Sequence, residues 1–256
     1  QIAGILVARS AGANPAPYIA GQSLVLAMAA LVSLGLQAPK PTGHERTISG
    51  AIRDVREGLA YCFRSPIMAP MLISAAYVGV FMIGSFQVLF PLIIRDAYGG
   101  DAHLQAARLG ALFACFWGAS FLSAVILSRI KPLRYPGRAL MASHLISAAA
   151  LFTFSFHKPF LTFAIIVSLW GLAAGVAISM SRTISQSAAE PRFLGRVLAV
   201  YSMGFMGGAP IGSAIVGFAS SEWGPRTASL IPAGGLAIAV VALALLTPLW
   251  RYRAEP

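Results

Sequence analysis

The sequence predicts an all-α fold, a polytopic bundle of helices set in a membrane. Three observations predict it. Hydrophobic residues make up 57% of the 256 residues and charged residues only 11%, whereas a soluble domain carries about 25% charge. The apolar residues gather into runs of roughly 20, the length that crosses a hydrocarbon core of ~30 Å as a helix. The basic residues sit in the short polar breaks between those runs, where they set membrane topology. The formal charge of +11 therefore does not point to nucleic acid, whose binders gather their cations on one face. The lipid bilayer is the expected partner.

Each element follows from run length and punctuation. Residues 1–9 read as the remnant of a span, because an apolar stretch is already under way at Gln1. No basic segment precedes a short apolar core there, so the start does not read as a signal peptide. Residues 10–17 form a break rich in Gly, Asn and Pro, and 18–36 a full span. Six further spans are expected over 66–94, 105–128, 138–156, 159–181, 193–220 and 227–250, each bounded by Arg, Lys, Pro or Gly. The stretch 37–65 differs. Ile48, Ile52, Val55, Leu59 and Cys62 recur at helical spacing, with Arg53, Asp54, Arg56, Glu57 and Arg64 between them. That pattern predicts an amphipathic helix, lying in the membrane interface or packed on the bundle.

Orientation follows from the 19 basic residues. Counting alternate breaks, one side holds Lys40, Arg46, Arg53, Arg56, Arg64, Arg129, Lys131, Arg134, Arg138, Arg182, Arg192, Arg196, Arg251 and Arg253. The other holds only Arg9, Arg95, Arg108, Lys158 and Arg226. The positive-inside rule places the larger set, and with it the 37–65 stretch and the C-terminus, in the cytoplasm.

No catalytic constellation is visible. The eight acids fall in breaks or near termini, with no paired carboxylates, phosphate loop or metal-ligand spacing. No enzymatic activity, cofactor or metal site is expected. Cys62 and Cys115 lie in separate segments and read as reduced, apolar side chains. His144 is the ionisable group expected inside a span, as a satisfied structural residue or a proton relay. Small residues carry a clearer signal. Gly204, Gly208 and Gly212 recur every four residues, and Gly171 and Gly175 repeat the spacing. Such stripes let helix backbones approach closely in lipid, as static packing or as sliding surfaces. Pro91 and Pro210 each remove a helix hydrogen bond within their spans.

One block of residues is recognisable. Gln186-Ser-Ala-Ala-Glu-Pro-Arg-Phe-Leu-Gly-Arg-Val197, followed by Tyr201, Gly207-Gly208-Ala-Pro210-Ile-Gly212 and Gly217, resembles the region of helices ten and eleven in major facilitator superfamily exporters. The likeness is to the transmembrane secretion effector branch, which includes enterobactin exporters. Leu194 stands where that branch has an Arg. Arg53-Asp-Val-Arg-Glu-Gly-Leu-Ala-Tyr61 resembles the branch's lead-in to helix seven. Ser128-Arg129 with Pro136-Gly137-Arg138 resembles the superfamily's basic cytoplasmic loop, without the Asp of the full motif.

The resemblance implies a twelve-helix secondary transporter of two six-helix halves, in a bacterial inner membrane. It works by alternating access on a small-molecule substrate held near the midplane. This chain would then hold the end of the N-terminal half over 1–36, with part of helix five and helix six. A cytoplasmic linker follows over 37–65, and the six-helix C-terminal half over 66–256. The rest of the N-terminal half is its missing partner. Export of molecules such as drugs or siderophores is implied. The alternative is a non-transporting fragment or assembly partner. In this fold helices seven, eight, ten and eleven face the central path, which nominates Gln87, Trp117, Trp170 and Tyr201 for substrate contact. Gln87 in particular should turn toward protein or water, because an unpartnered amide in lipid is costly. Arg129, Arg134, Arg138 and Arg196 are the implied basic cytoplasmic-loop residues. No proton-carrying carboxylate is expected in this half.

Overall fold

The computed structural model describes residues 48–130 and 133–253, together with residues 23, 24, 27, 28, 30 and 31. The expected span remnant over 1–9, the break after it, most of the 18–36 span and the start of the linker lie outside the described residues.

The amphipathic stretch forms helix α1, Ile48–Arg64. Six long helices follow: α2, Met68–Tyr98; α3, Ala102–Arg129; α4, Pro136–Thr153; α5, Phe160–Ala188; α6, Leu194–Trp223; and α7, Pro225–Leu246. In α7, Ser229 separates a short first turn from the rest. The termini have local causes. Asp101 caps α3, its Oδ1 accepting from the Leu104 N–H at 2.8 Å. Pro136 and Pro225 occupy first-turn positions, where no N–H is needed. The turn from α2 to α3 passes through Gly99 and Gly100, both at positive φ (55° and 92°), which side-chain-bearing residues rarely adopt.

Helices α2, α3, α5, α6 and α7 are each long and apolar enough to cross a membrane. The remaining expected span, 138–156, forms as α4 but is shorter and more polar, carrying Arg138, Ser143, His144 and Ser147 over 18 residues. Ser143, His144 and Ser147 are buried, while Ile146 and Phe152 are exposed. Its mid-helix serines and His144 thus face protein, Arg138 at its start is exposed, and Ile146 and Phe152 keep its outer face apolar. Helix α2 also runs past the expected end at 94. Its last turn takes in Arg95 and Asp96, which pair with each other at 2.7 Å.

Two close helix pairs organise the bundle: α2 on α6 and α3 on α5, joined by α4 and α7. Both pairs are glycine contacts. A Cβ at Gly208 would lie 2.7 Å from the Val80 nitrogen and 2.8 Å from the Ala76 carbonyl oxygen, and one at Gly212 would collide with the Val80 carbonyl. The approach is reciprocal, since a Cβ at Gly84 would stand 2.6 Å from the Gly212 carbonyl carbon. At the second pair, a Cβ at Gly171 would strike the Phe116 carbonyl, and one at Gly175 the Ser120 carbonyl. Gly204 is looser, with Leu72 and Ala75 in ordinary contact. Where α6 presses on it, α2 widens into a π turn over Gly79–Ile83, and the Gly84 N–H bonds back to the Gly79 carbonyl. Serines within these helices donate to carbonyls of their own helix, as Ser85 does to Phe81 at 2.6 Å and Ser147 to Ser143 at 2.9 Å.

The aromatic core fills the space between the pairs. Trp170 is wholly buried, with ring centres of Phe86, Phe90, Phe116 and Phe154 between 5.3 and 5.9 Å away. Because backbone meets backbone at Gly208, no side chain can yield there. The variant Gly208→Leu should lose about 1–3 kcal/mol of stability or more, read as early aggregation in a fluorescence-detected thermal melt. Gly110 has no atom within 4 Å of its would-be Cβ, so Gly110→Ala should melt with the parent. So should Met206→Leu, on an exposed site.

Candidate functional site

The four residues nominated for substrate contact take three different positions. Gln87 is exposed, about one turn beyond Gly84 on α2. Pro91, four residues on, has no N–H to bond the Gln87 carbonyl. Gln87 therefore combines an exposed side-chain amide with a backbone carbonyl that lacks its usual helical donor. Trp117 on α3 is 55% exposed. It leans edge-on against Phe116 at 5.3 Å and Phe86 at 6.2 Å. Phe86, which Trp117 touches, is the residue before Gln87 on α2.

Trp170 lies behind them in the aromatic core, reached through Phe86 and Phe116. Its Nε1 is buried without a hydrogen-bond partner. It takes no exposed position. Tyr201 stands apart. It is half-buried, stacked on Phe205 at 6.3 Å, with Ser181 beside its hydroxyl. It lines a small space with Cys62, Met68, Met71, Leu72, Ser185 and Val197, next to α1.

The basic-loop residues share the end of the bundle that α1 occupies. Arg196 on α6 pairs with Glu57 of α1 at 2.8 Å, and Arg53 pairs with the same carboxylate at 2.8 Å. The Arg53 hydrogen bond and the charge of Arg196 hold the Glu57 carboxyl below its usual range. Tyr61 stacks on Phe193 at 4.6 Å, and its hydroxyl accepts from the Glu190 N–H at 3.1 Å. So α1 is packed on the bundle, with Leu59 and Phe63 still exposed. Arg138 lies over Tyr135 at 4.3 Å and near Trp250 at 6.0 Å, and Arg134 over Tyr135 at 5.5 Å. Arg129 ends α3. An open recess of about 560 Å³ sits among these residues, between the ends of α3 and α5, lined by Leu127, Ser128, Leu133, Ser179, Met180 and Thr183 with others.

The structure adds a polar link that the sequence pattern did not show. The Tyr77 hydroxyl on α2 meets Nδ1 of His144 on α4 at 2.9 Å, and Ser74 donates to the same hydroxyl at 3.3 Å. All three side chains are buried. His144 was visible in the sequence as an imidazole in an apolar run. Tyr77, 67 residues away, had no signal tying it to that imidazole. Among the described residues no group of His, Cys, Asp or Glu could hold a metal.

An all-α bundle of apolar spanning helices, joined through glycine contacts, is the architecture of a polytopic membrane protein. The chain belongs to the transmembrane secretion effector family of the major facilitator superfamily, whose profile matches residues 1–255. It is similar to the enterobactin exporter of Citrobacter koseri, 23% identical over 241 residues, covering 93% of this chain and 55% of that protein. It is likewise similar to the enterobactin exporters of Escherichia coli O81 and Escherichia fergusonii, each 24% identical over 239 residues with the same coverage. The chain spans about half the length of these relatives. No solved structure matches it. The protein is thus an integral, multi-pass membrane protein of a transporter family.

The Tyr77–His144 link yields a prediction. Tyr77→Phe leaves a buried ring nitrogen without its partner and should cost about 1–3 kcal/mol. His144→Phe in the same background should recover part of that loss, because both polar groups are then gone. A thermal-melt double-mutant cycle reads the coupling.

Proposed function

We propose that the chain is part of a secondary active exporter of small molecules, in a bacterial inner membrane, working by alternating access. Residues 66–256 form its C-terminal half, 37–65 the cytoplasmic linker, and 1–36 the end of the N-terminal half. One observation carries this reading beyond family membership. Helices α3, α6 and α7 have only 22%, 28% and 33% of their apolar windows buried, and even α2, at 56%, leaves part of its surface open. The open faces of α3 and of neighbouring α2 carry Trp117 and Gln87. An exposed amide and an exposed indole suit a central path shared with a second half better than lipid.

In this reading Gln87 and Trp117 contact substrate near the midplane, and Trp170 supports Trp117 from behind through Phe116. Tyr201 acts nearer the cytoplasmic mouth. Arg129, Arg134, Arg138 and Arg196 set the cytoplasmic side of the loops. Gly204, Gly208 and Gly212, with Gly171 and Gly175, keep each helix pair moving as one body. The acids on the described long helices, Asp96 and Glu222, lie at helix ends. A carboxylate proton carrier then belongs to the missing half.

The test is efflux from cells expressing the chain together with an N-terminal half, scored on a panel of siderophores and drugs. Export should need both parts. Gln87→Ala and Trp117→Ala should each cut it about tenfold, a change of ~1.4 kcal/mol, at unchanged protein level. Normal export by both variants would remove the proposed surface. No export of any compound by the reassembled protein would favour the non-transporting fragment.

A further inference from the structure

Of the five basic residues on the less basic side of the charge census, three come together in space. Arg108 projects from α3, Lys158 from the turn between α4 and α5, and Arg226 from the start of α7. They gather around Tyr98, at the end of the bundle opposite α1. Nη1 of Arg108 donates to the Tyr98 carbonyl at 2.6 Å and to the Gly99 carbonyl at 3.1 Å. The Tyr98 hydroxyl donates to the Lys158 carbonyl at 3.1 Å, which fixes that turn. Arg108 and Arg226 both stand within electrostatic reach of Tyr98, and Arg226 within reach of Lys158.

These cations are not neutralised. Among the described residues none of the three pairs with a carboxylate. Asp96 is taken by Arg95 at 2.7 Å, and Asp101 caps α3. Nη1 of Arg226 is shielded from solvent and has no hydrogen-bond partner. A buried guanidinium donor without an acceptor is costly, and a neighbouring like charge raises the cost. Burial, and next to it the Arg226 charge, lower the pKa of the Lys158 amine. Lys158 uses one donor on the Thr153 carbonyl and keeps two more. The surroundings are nonetheless built and held. Arg108 lies over the Phe160 ring at 5.9 Å, and Tyr98 packs edge-on to Phe160 at 5.5 Å. The Arg226 carbonyl accepts from the Ser229 hydroxyl at 2.7 Å. The backbone and rings are satisfied and Arg108 and Lys158 each bond to carbonyls, but Nη1 of Arg226 has no acceptor.

We propose that Arg108, Lys158 and Arg226 form a binding site for an oxyanion of the phosphate class. Such a group presents several acceptor oxygens in different directions, so it can take donors from three separate elements at once. It would give Nη1 of Arg226 its acceptor and turn a repulsive cluster into an attractive one. The position, in the turns that join spanning helices, is the level of lipid headgroups. The phosphate can therefore be free in solution or part of a lipid.

Thermal unfolding of the intact protein in non-ionic detergent tests this at fixed ionic strength. Inorganic phosphate replaces chloride in one arm, and short-chain phosphatidylglycerol is added in the other. The parent should gain about 2–4 °C in at least one arm. A gain with inorganic phosphate identifies a free oxyanion, and one confined to phosphatidylglycerol identifies a lipid. The gain should vanish in Arg226→Gln and Lys158→Gln, and persist in Arg95→Gln at the same end. Arg226→Lys, which keeps the charge, should retain part of it and serves if Arg226→Gln does not fold. No gain in either arm for the parent would overturn the proposal. So would an undiminished gain in Arg226→Gln or Lys158→Gln. The readout is binding, so it stands whether or not the protein exports anything.

Discussion

In lipid, an apolar side chain gains little by leaving acyl chains for another helix, because both surroundings are equally apolar. What holds such helices together is contact density and the satisfaction of polar groups. The approach of α6 to α2, backbone against backbone at Gly208 and Gly212, is the clearest case here. It sets where α2 widens into its π turn. About one turn later Gln87 turns its side chain outward, while Leu89 and Phe90 stay buried. The second close pair, α3 on α5 through Gly171 and Gly175, plays the same part for Trp117 and for the aromatic core around Trp170. The candidate surface is a consequence of how two glycine contacts orient four helices.

Polar groups in this bundle are treated according to depth. Serines in mid-helix bond to their own backbone. His144 is buried and finds a phenol on another helix. Arginines at the α1 end stack on aromatic rings or pair with Glu57. The pattern breaks at Trp170, whose Nε1 is unmatched, and at the cluster of Arg108, Lys158 and Arg226, where the unmatched buried donor is cationic. That mismatch is why it reads as a site rather than as structure.

Much of the fold was legible in the sequence because membrane solvation is a strong constraint. Run length gave the helices, and Gly204, Gly208 and Gly212 could be read as a contact from spacing alone. The Gly204 contact is looser than that spacing suggested. The shortness and polarity of α4 were not anticipated, because its serines and His144 are tolerated by facing protein. The orientation of single side chains was less legible. Trp117 and Trp170 look alike in sequence, each within an apolar run, yet one is half-exposed and the other wholly buried. In a helix apolar all round, periodicity does not say which face meets protein. Tyr77 with His144, and Lys158 with Arg226, are brought together only by tertiary packing, which no local pattern reports.

The α2–α6 approach can be measured directly by disulfide trapping. A Cβ at Gly204 would lie 3.6 Å from the Ala75 Cβ, inside the separation of about 3.5–4.5 Å that a disulfide requires. Gly207, three residues on, has nothing within 4 Å of its would-be Cβ. With Cys62 and Cys115 replaced by Ala, the pair Ala75→Cys and Gly204→Cys should oxidise in membranes to a cross-link that mass spectrometry detects. Ala75→Cys with Gly207→Cys should stay reduced. If the first pair stays reduced, or the second oxidises as readily, the two helices do not meet as described and the account fails at its base.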